Sequence, residues 1–183
     1  MSDFEYASVV VSIVLALGIA DVLRFLADTF RESSGRKLYW VHLLWIFILL
    51  QLHLEFWWRM WSFRELIAIG PGLALVLLGP AMLFVATRTL LPAGAADSDL
   101  QTLFFRRKTL FFVMLALLNV WALMLSPWSV GIAPNESITV FIGIFVVVMA
   151  LFVACILSTN QLLHKGVVSL VFALEILDTL AIM

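Results

Sequence analysis

Charge is scarce in this sequence. Of its 183 residues only 13% are Asp, Glu, Lys or Arg, and the formal net charge is −1, whereas soluble domains carry about 25% charged residues. Without a basic excess there is no electrostatic footprint for nucleic acid, and no nucleic-acid partner is expected. Cysteine is scarcer still. The one residue of this type, Cys155, excludes an internal disulfide and lies in the most apolar stretch, where it reads as a small hydrophobe. Three histidines add little material for covalent or metal chemistry. The patterns HExxH, GxSxG, CxxC and a phosphate loop are all absent. These gaps argue against an enzyme and imply neither a metal nor a cofactor. No segment carries a motif that points to a named family. The basic n-region of a cleaved signal peptide is missing as well, since Asp3 and Glu5 stand in its place; the first apolar run is expected to be retained as a helix.

What the chain has in abundance is apolar side chain. It is 64% hydrophobic with a mean hydropathy of +1.12, against about 45–50% apolar residues in soluble domains. A soluble core of this length could not bury that much apolar surface, so the expected solvent is the lipid bilayer. The fold class is all-α and polytopic. Apolar runs at 6–27, 38–61, 66–91, 104–125, 138–157 and 166–183 predict a single transmembrane domain over 1–183, a bundle of six transmembrane helices. The polar linker PAGAADSDLQ (92–101) separates three spans from three. Pro80 lies within the third span and predicts a kink or a short unwound turn there. The sixth run is short and carries Glu175 and Asp178, so a helix lying in the interface is its alternative.

Lys and Arg concentrate after alternate spans: Arg31, Arg36 and Lys37 after the first, Arg88, Arg106, Arg107 and Lys108 around the linker, and Lys165 after the fifth. Basic loops belong in the cytoplasm. The linker 92–101 is then cytoplasmic, both the N-terminus and the C-terminus lie outside, and the location is a bacterial inner (plasma) membrane. Trp40 at one end of the second span and Trp57, Trp58 and Trp61 at the other fit two interfacial aromatic belts. An aromatic cage for a cationic ligand is the sharper alternative.

The second span, LYWVHLLWIFILLQLHLEFWWR (38–59), is the most informative stretch. Gln51, Glu55 and Arg59 recur every four residues and form one polar stripe on a helix. At about 1.5 Å per residue, Glu55 sits roughly two-thirds to three-quarters of the way towards the outer surface. The sixth span runs in the same direction, which places Glu175 near mid-membrane and Asp178 one turn further out. Three carboxylates crowded in a poor dielectric cannot all stay ionised. Glu55, Glu175 and Asp178 are therefore candidate proton carriers or cation ligands, with Gln51 beside them and Arg59 as the neutralising partner; the alternative is a polar staple between helices or subunits. A second group, Asp21 and Arg24 with His42 and Arg88 at similar depth, marks the inner end of a pathway, or else a simple ion pair. His42 and His53 are about 16 Å apart along one helix and cannot share a metal ion.

The function expected from these residues is a proton or cation channel, or a proton-coupled transporter, in the form of a homo-oligomer with a proton or small ion as its cargo. The alternative is a non-transporting scaffold, sensor or assembly subunit whose polar groups hold helices together.

Overall fold

Helix formation begins at the second residue. The Ser2 hydroxyl accepts the Glu5 N–H at 3.2 Å and the Glu5 carboxylate accepts the Ser2 N–H at 2.8 Å, a reciprocal capping box that opens α1, Asp3–Phe30. In the computed structural model the described residues are 2–31, 35, 37–68, 71–92, 99–129 and 137–182; for 127–129, 137–141 and 178–182 only the backbone is described. The chain continues with α2 (Trp40–Arg59), α3 (Gly72–Leu90), α4 (Leu100–Ser129), α5 (Ser137–Leu157) and α6 (Gln161–Ile182). No strand occurs among the described residues; Lys37 and Asp99 make an isolated bridge. The Asp99 carboxylate also accepts the N–H groups of Gln101 and Thr102 at 3.0 and 3.1 Å, which caps α4.

Among the described residues, four helical stretches are long and apolar enough to cross a membrane: Asp3–Phe30, Trp40–Ile67, Gly72–Leu90 and Leu100–Ser126. The second includes a 3-10 turn, Met60–Phe63, and a further helical turn, Arg64–Ile67, that carry α2 beyond Trp61. The third helix consequently starts at Gly72 rather than near residue 66. α3 stays helical through Pro80, so the expected unwound turn does not form. α4 continues past Leu125 to Ser129, and most of the loop read from the sequence after it, 130–136, lies outside the described residues, as does most of the linker, 93–98. α6 begins at Gln161 rather than near residue 166 because Asn160 caps it, its Oδ1 accepting the Leu162 N–H at 2.9 Å.

α1 packs on α2 and α3, α3 on α4, α4 on α5, and α6 on α2. The start of α6 sits among the same rings as Tyr39: the Phe104 ring centroid is 5.3 Å from His164 and 5.9 Å from Tyr39. Further along, Glu175 of α6 shares a cavity wall with Gln51 of α2. The two helices therefore run in the same direction, and α6 lies along α2. The larger hydrophobic core, around Trp45, Phe104, Phe111 and Phe112, occupies the Tyr39 end of the bundle, and a smaller one, around Phe56, Phe63 and Val76, occupies the Arg59 end. Outward faces are apolar too: Ile144, Val146 and Val147 of α5 and Tyr6, Val9 and Ile13 of α1 are exposed. Trp57, Trp58 and Trp61 are also exposed, with Trp58 at 67%, as belt residues would be.

Two glycines let large rings approach a neighbouring backbone. A side chain at Gly18 of α1 would collide with the His53 ring. A Cβ at Gly79 of α3 would lie 2.6 Å from the Trp121 ring and 2.8 Å from Phe56. Gly79→Val should therefore lower the unfolding free energy in detergent by about 1–3 kcal/mol through overpacking. Gly143→Ala, where an added methyl meets nothing within 4 Å, should be neutral or stabilising, since Ala is about 0.5–1 kcal/mol better than Gly inside a helix.

Candidate functional site

The four-residue spacing places Gln51, Glu55 and Arg59 on one face of α2, and Gln51 Nε2 donates to Glu55 Oε1 at 3.2 Å. That face borders a cavity of about 430 Å³ between α2, α4, α5 and α6. Glu55 and Arg59 reach its wall from α2, Asn119 from α4 and Glu175 from α6. All four are half-buried. A second cavity, about 440 Å³, lies on the seam between α2 and α6 with Gln51 and Glu175 as its polar lining, so Glu175 serves both. Glu55, Arg59, Glu175 and Gln51, which sequence spacing put on two separate helices, are thus neighbours around one seam. Asp178 is on α6, but its side chain lies outside the described residues. Asn119 was visible in the sequence as a lone amide in mid-span; nothing in the periodicity of α4 alone showed that it would meet the acids.

Aliphatic side chains make up most of the remaining wall, and rings stand at its two ends. Towards the Arg59 end, Phe56 stacks on Phe63 and on Trp121, with centroids 5.9 and 5.5 Å apart. Trp121 is held across the bundle by its indole N–H, which donates to the Leu75 carbonyl of α3 at 2.8 Å. Towards the Tyr39 end, Trp45 meets Phe111 at 5.2 Å and Phe112 at 5.4 Å, and Phe112 meets Phe152 at 5.9 Å. Trp45, Phe111 and Phe112 are fully buried. They form a dense floor beneath the cavity. Two residues of the lining, Trp45 and Asn119, carry nitrogens, Nε1 and Nδ2, that are buried with no hydrogen-bond partner among the described residues. An unmade buried hydrogen bond costs about 1–3 kcal/mol.

At the Tyr39 end the polar groups do something different. Asp21 pairs with Arg88 of α3 at 3.2 Å and with Arg24, one turn on, at 3.8 Å. Both arginines are largely exposed, which limits such pairs to about 0.2–1 kcal/mol. His42, grouped with them by depth in the sequence, joins neither. It is fully buried between Phe25, at 5.8 Å, and Phe104, at 6.4 Å, and neither ring nitrogen has a hydrogen-bond partner among the described residues. His53 is also buried, with Nδ1 2.6 Å from the Leu49 carbonyl. It occupies the Gly18 notch, away from the carboxylates. Among the described residues no three His, Cys, Asp or Glu side chains are grouped to hold a metal ion.

Lys108 is the residue that sequence reasoning placed wrongly. Read from the sequence with Arg88, Arg106 and Arg107 as one of four cations around the linker, it is instead only 6% exposed, and its ammonium donates to the carbonyls of Cys155 and Ile156 at 2.8 and 2.7 Å. These are among the last carbonyls of α5, which have no intrahelical donor, and a cation there also meets the negative end of the helix dipole. His164 closes the same corner, with Nε2 3.0 Å from the Ser158 carbonyl. Lys108→Met should cost about 1.5–3 kcal/mol in detergent unfolding, the usual worth of hydrogen bonds to a charged group.

The chain matches no family model, no curated protein and no solved structure, so its function is argued from its residues alone.

Proposed function

We propose that all six helices cross the membrane with both termini outside, in a bacterial inner membrane, and that the protein is a proton-coupled transporter with a monovalent cation as cargo. The observation that carries this reading is the meeting of Glu55, Glu175 and Arg59, from two helices, at one intramembrane cavity. A charged side chain at mid-bilayer costs at least about 2.5 kcal/mol even on the lenient insertion scale, so two acids there call for a use as well as a partner. With the positive loops inside, the Arg59 end of the bundle faces outward and the cavity is entered from that side. The ring floor of Trp45, Phe111 and Phe112 then separates it from the cytoplasm. A closed floor favours alternating access over an open pore. Glu55 and Glu175 carry protons when the cargo is absent and accept its charge when it is bound; Arg59 keeps the emptied site from holding two uncompensated charges, and Asp178 follows one turn beyond Glu175 along α6. Asp21, Arg24 and Arg88 stand at the cytoplasmic exit. The protein acts as a homo-oligomer and does no covalent chemistry.

A second reading, a scaffold or assembly subunit, is favoured by one contact: Gln51 already donates to Glu55 within α2, as it would in a structural staple. The two readings diverge in proteoliposomes. Glu55→Gln and Glu175→Gln should each reduce proton-coupled cation uptake by about tenfold or more while changing detergent stability by less than about 1 kcal/mol. Unchanged uptake with a loss of stability would contradict transport and support the staple.

A further inference from the structure

The ion pairs at the Tyr39 end leave positive charge over. Asp21 meets two guanidiniums, that of Arg88 from α3 at 3.2 Å and that of Arg24 from its own helix at 3.8 Å. Only the first is short enough for a hydrogen bond. Two cations around one carboxylate are one charge in excess, and the next turn of α1 leaves that balance unchanged because Asp28 and Arg31 offset each other. Each guanidinium has several N–H donors in a planar fork that suits phosphate, and Asp21 takes one of them at hydrogen-bond distance. Nor are the forks hidden: the side chain of Arg24 is 75% exposed and that of Arg88 55%.

Depth makes this cluster more than a solvated surface pair. α1 has 28 residues, about 42 Å of helix, which matches the roughly 40–45 Å of a bilayer with its headgroups. The hydrocarbon boundary then falls about four residues before Phe30, which puts Arg24 just inside it. Arg88, near the end of the shorter α3, reaches the same level. Exposed cations at that level face lipid phosphates. On the same helix faces, deeper in the bilayer, Leu17 of α1 and Leu78 and Val85 of α3 are exposed.

We propose that the seam between α1 and α3 binds an anionic phospholipid, its phosphate between Arg24 and Arg88 and an acyl chain along Leu17, Leu78 and Val85. Charge selects the headgroup, and the exposed apolar faces hold the chain. The site requires α1 and α3 to span the bilayer, for which both are long and apolar enough, and it is independent of whether the protein transports anything.

Fluorescently labelled phosphatidylglycerol is the probe, with phosphatidylcholine of the same label and chains as its zwitterionic counterpart. On the detergent-solubilised full chain, phosphatidylglycerol should bind at least about fivefold tighter. Arg24→Gln and Arg88→Gln should each weaken it about fivefold, and Arg31→Gln, beyond the cluster, less than about twofold. Asp21→Asn should tighten it by about twofold or more, a gain that a misfolded variant does not give. Equal affinity for the two lipids would overturn the inference. So would an equal loss in Arg31→Gln, which would reveal a diffuse positive surface in place of a site. Displacement of the labelled lipid by millimolar inorganic phosphate at constant ionic strength would assign the arginines to a free anion, and the lipid site would fall.

Discussion

Desolvation of charge governs this molecule. Nearly every face of every helix is apolar, so a carboxylate or ammonium away from the chain ends must be met by other protein groups or by a cavity. The structure meets that demand in two ways. Lys108 is spent entirely on structure, its ammonium satisfied by two carbonyls at the end of α5. Glu55, Arg59 and Glu175 are instead gathered at an open space. That contrast separates a cap from a candidate site: Lys108 is met by fixed backbone acceptors, whereas the two acids and Arg59 border a cavity.

The rings follow from the same constraint. A cavity with polar groups on its wall weakens a bundle unless its surroundings are rigid, and here rings brace the two ends of a largely aliphatic wall. Trp121 is fixed by its bond to the Leu75 carbonyl and by the space that Gly79 leaves. Trp45 is wedged among phenylalanines. The Asp21 pairs at the opposite end, exposed and weak, tie α1 to α3 and add little to the stability of the bundle. A passage through the bundle would have to displace the Trp45 floor, so the floor is the natural moving part of any transport cycle.

How much of this the sequence disclosed depends on whether the signal was local. The stripe Gln51, Glu55, Arg59 follows from helical periodicity on a single segment, and it lines one seam of the structure. The direction of α6, and hence the approach of Glu175 to that stripe, followed from alternation of basic loops. The rest needed information about neighbours. Asn119 acquires its role only because α4 turns that face towards α2 and α6, and Lys108 only because its long stem reaches the end of α5. His42 shares its depth with Asp21 but not its face, which counting along the chain cannot reveal. Boundaries were least legible near residue 66, where a 3-10 turn extends α2 and delays the start of α3 to Gly72.

The central claim is that the acid-bearing cavity is reached from the outer side and sealed from the cytoplasm. Cys155 is the chain's only cysteine and is buried, so its replacement by Ala gives a background for a single reporter at Ala122 on the cavity wall. In sealed vesicles of both orientations, a membrane-impermeant maleimide should label Ala122→Cys from the outer face and leave it unlabelled from the cytoplasmic face. Labelling from the cytoplasmic face, or from neither face, would contradict the account.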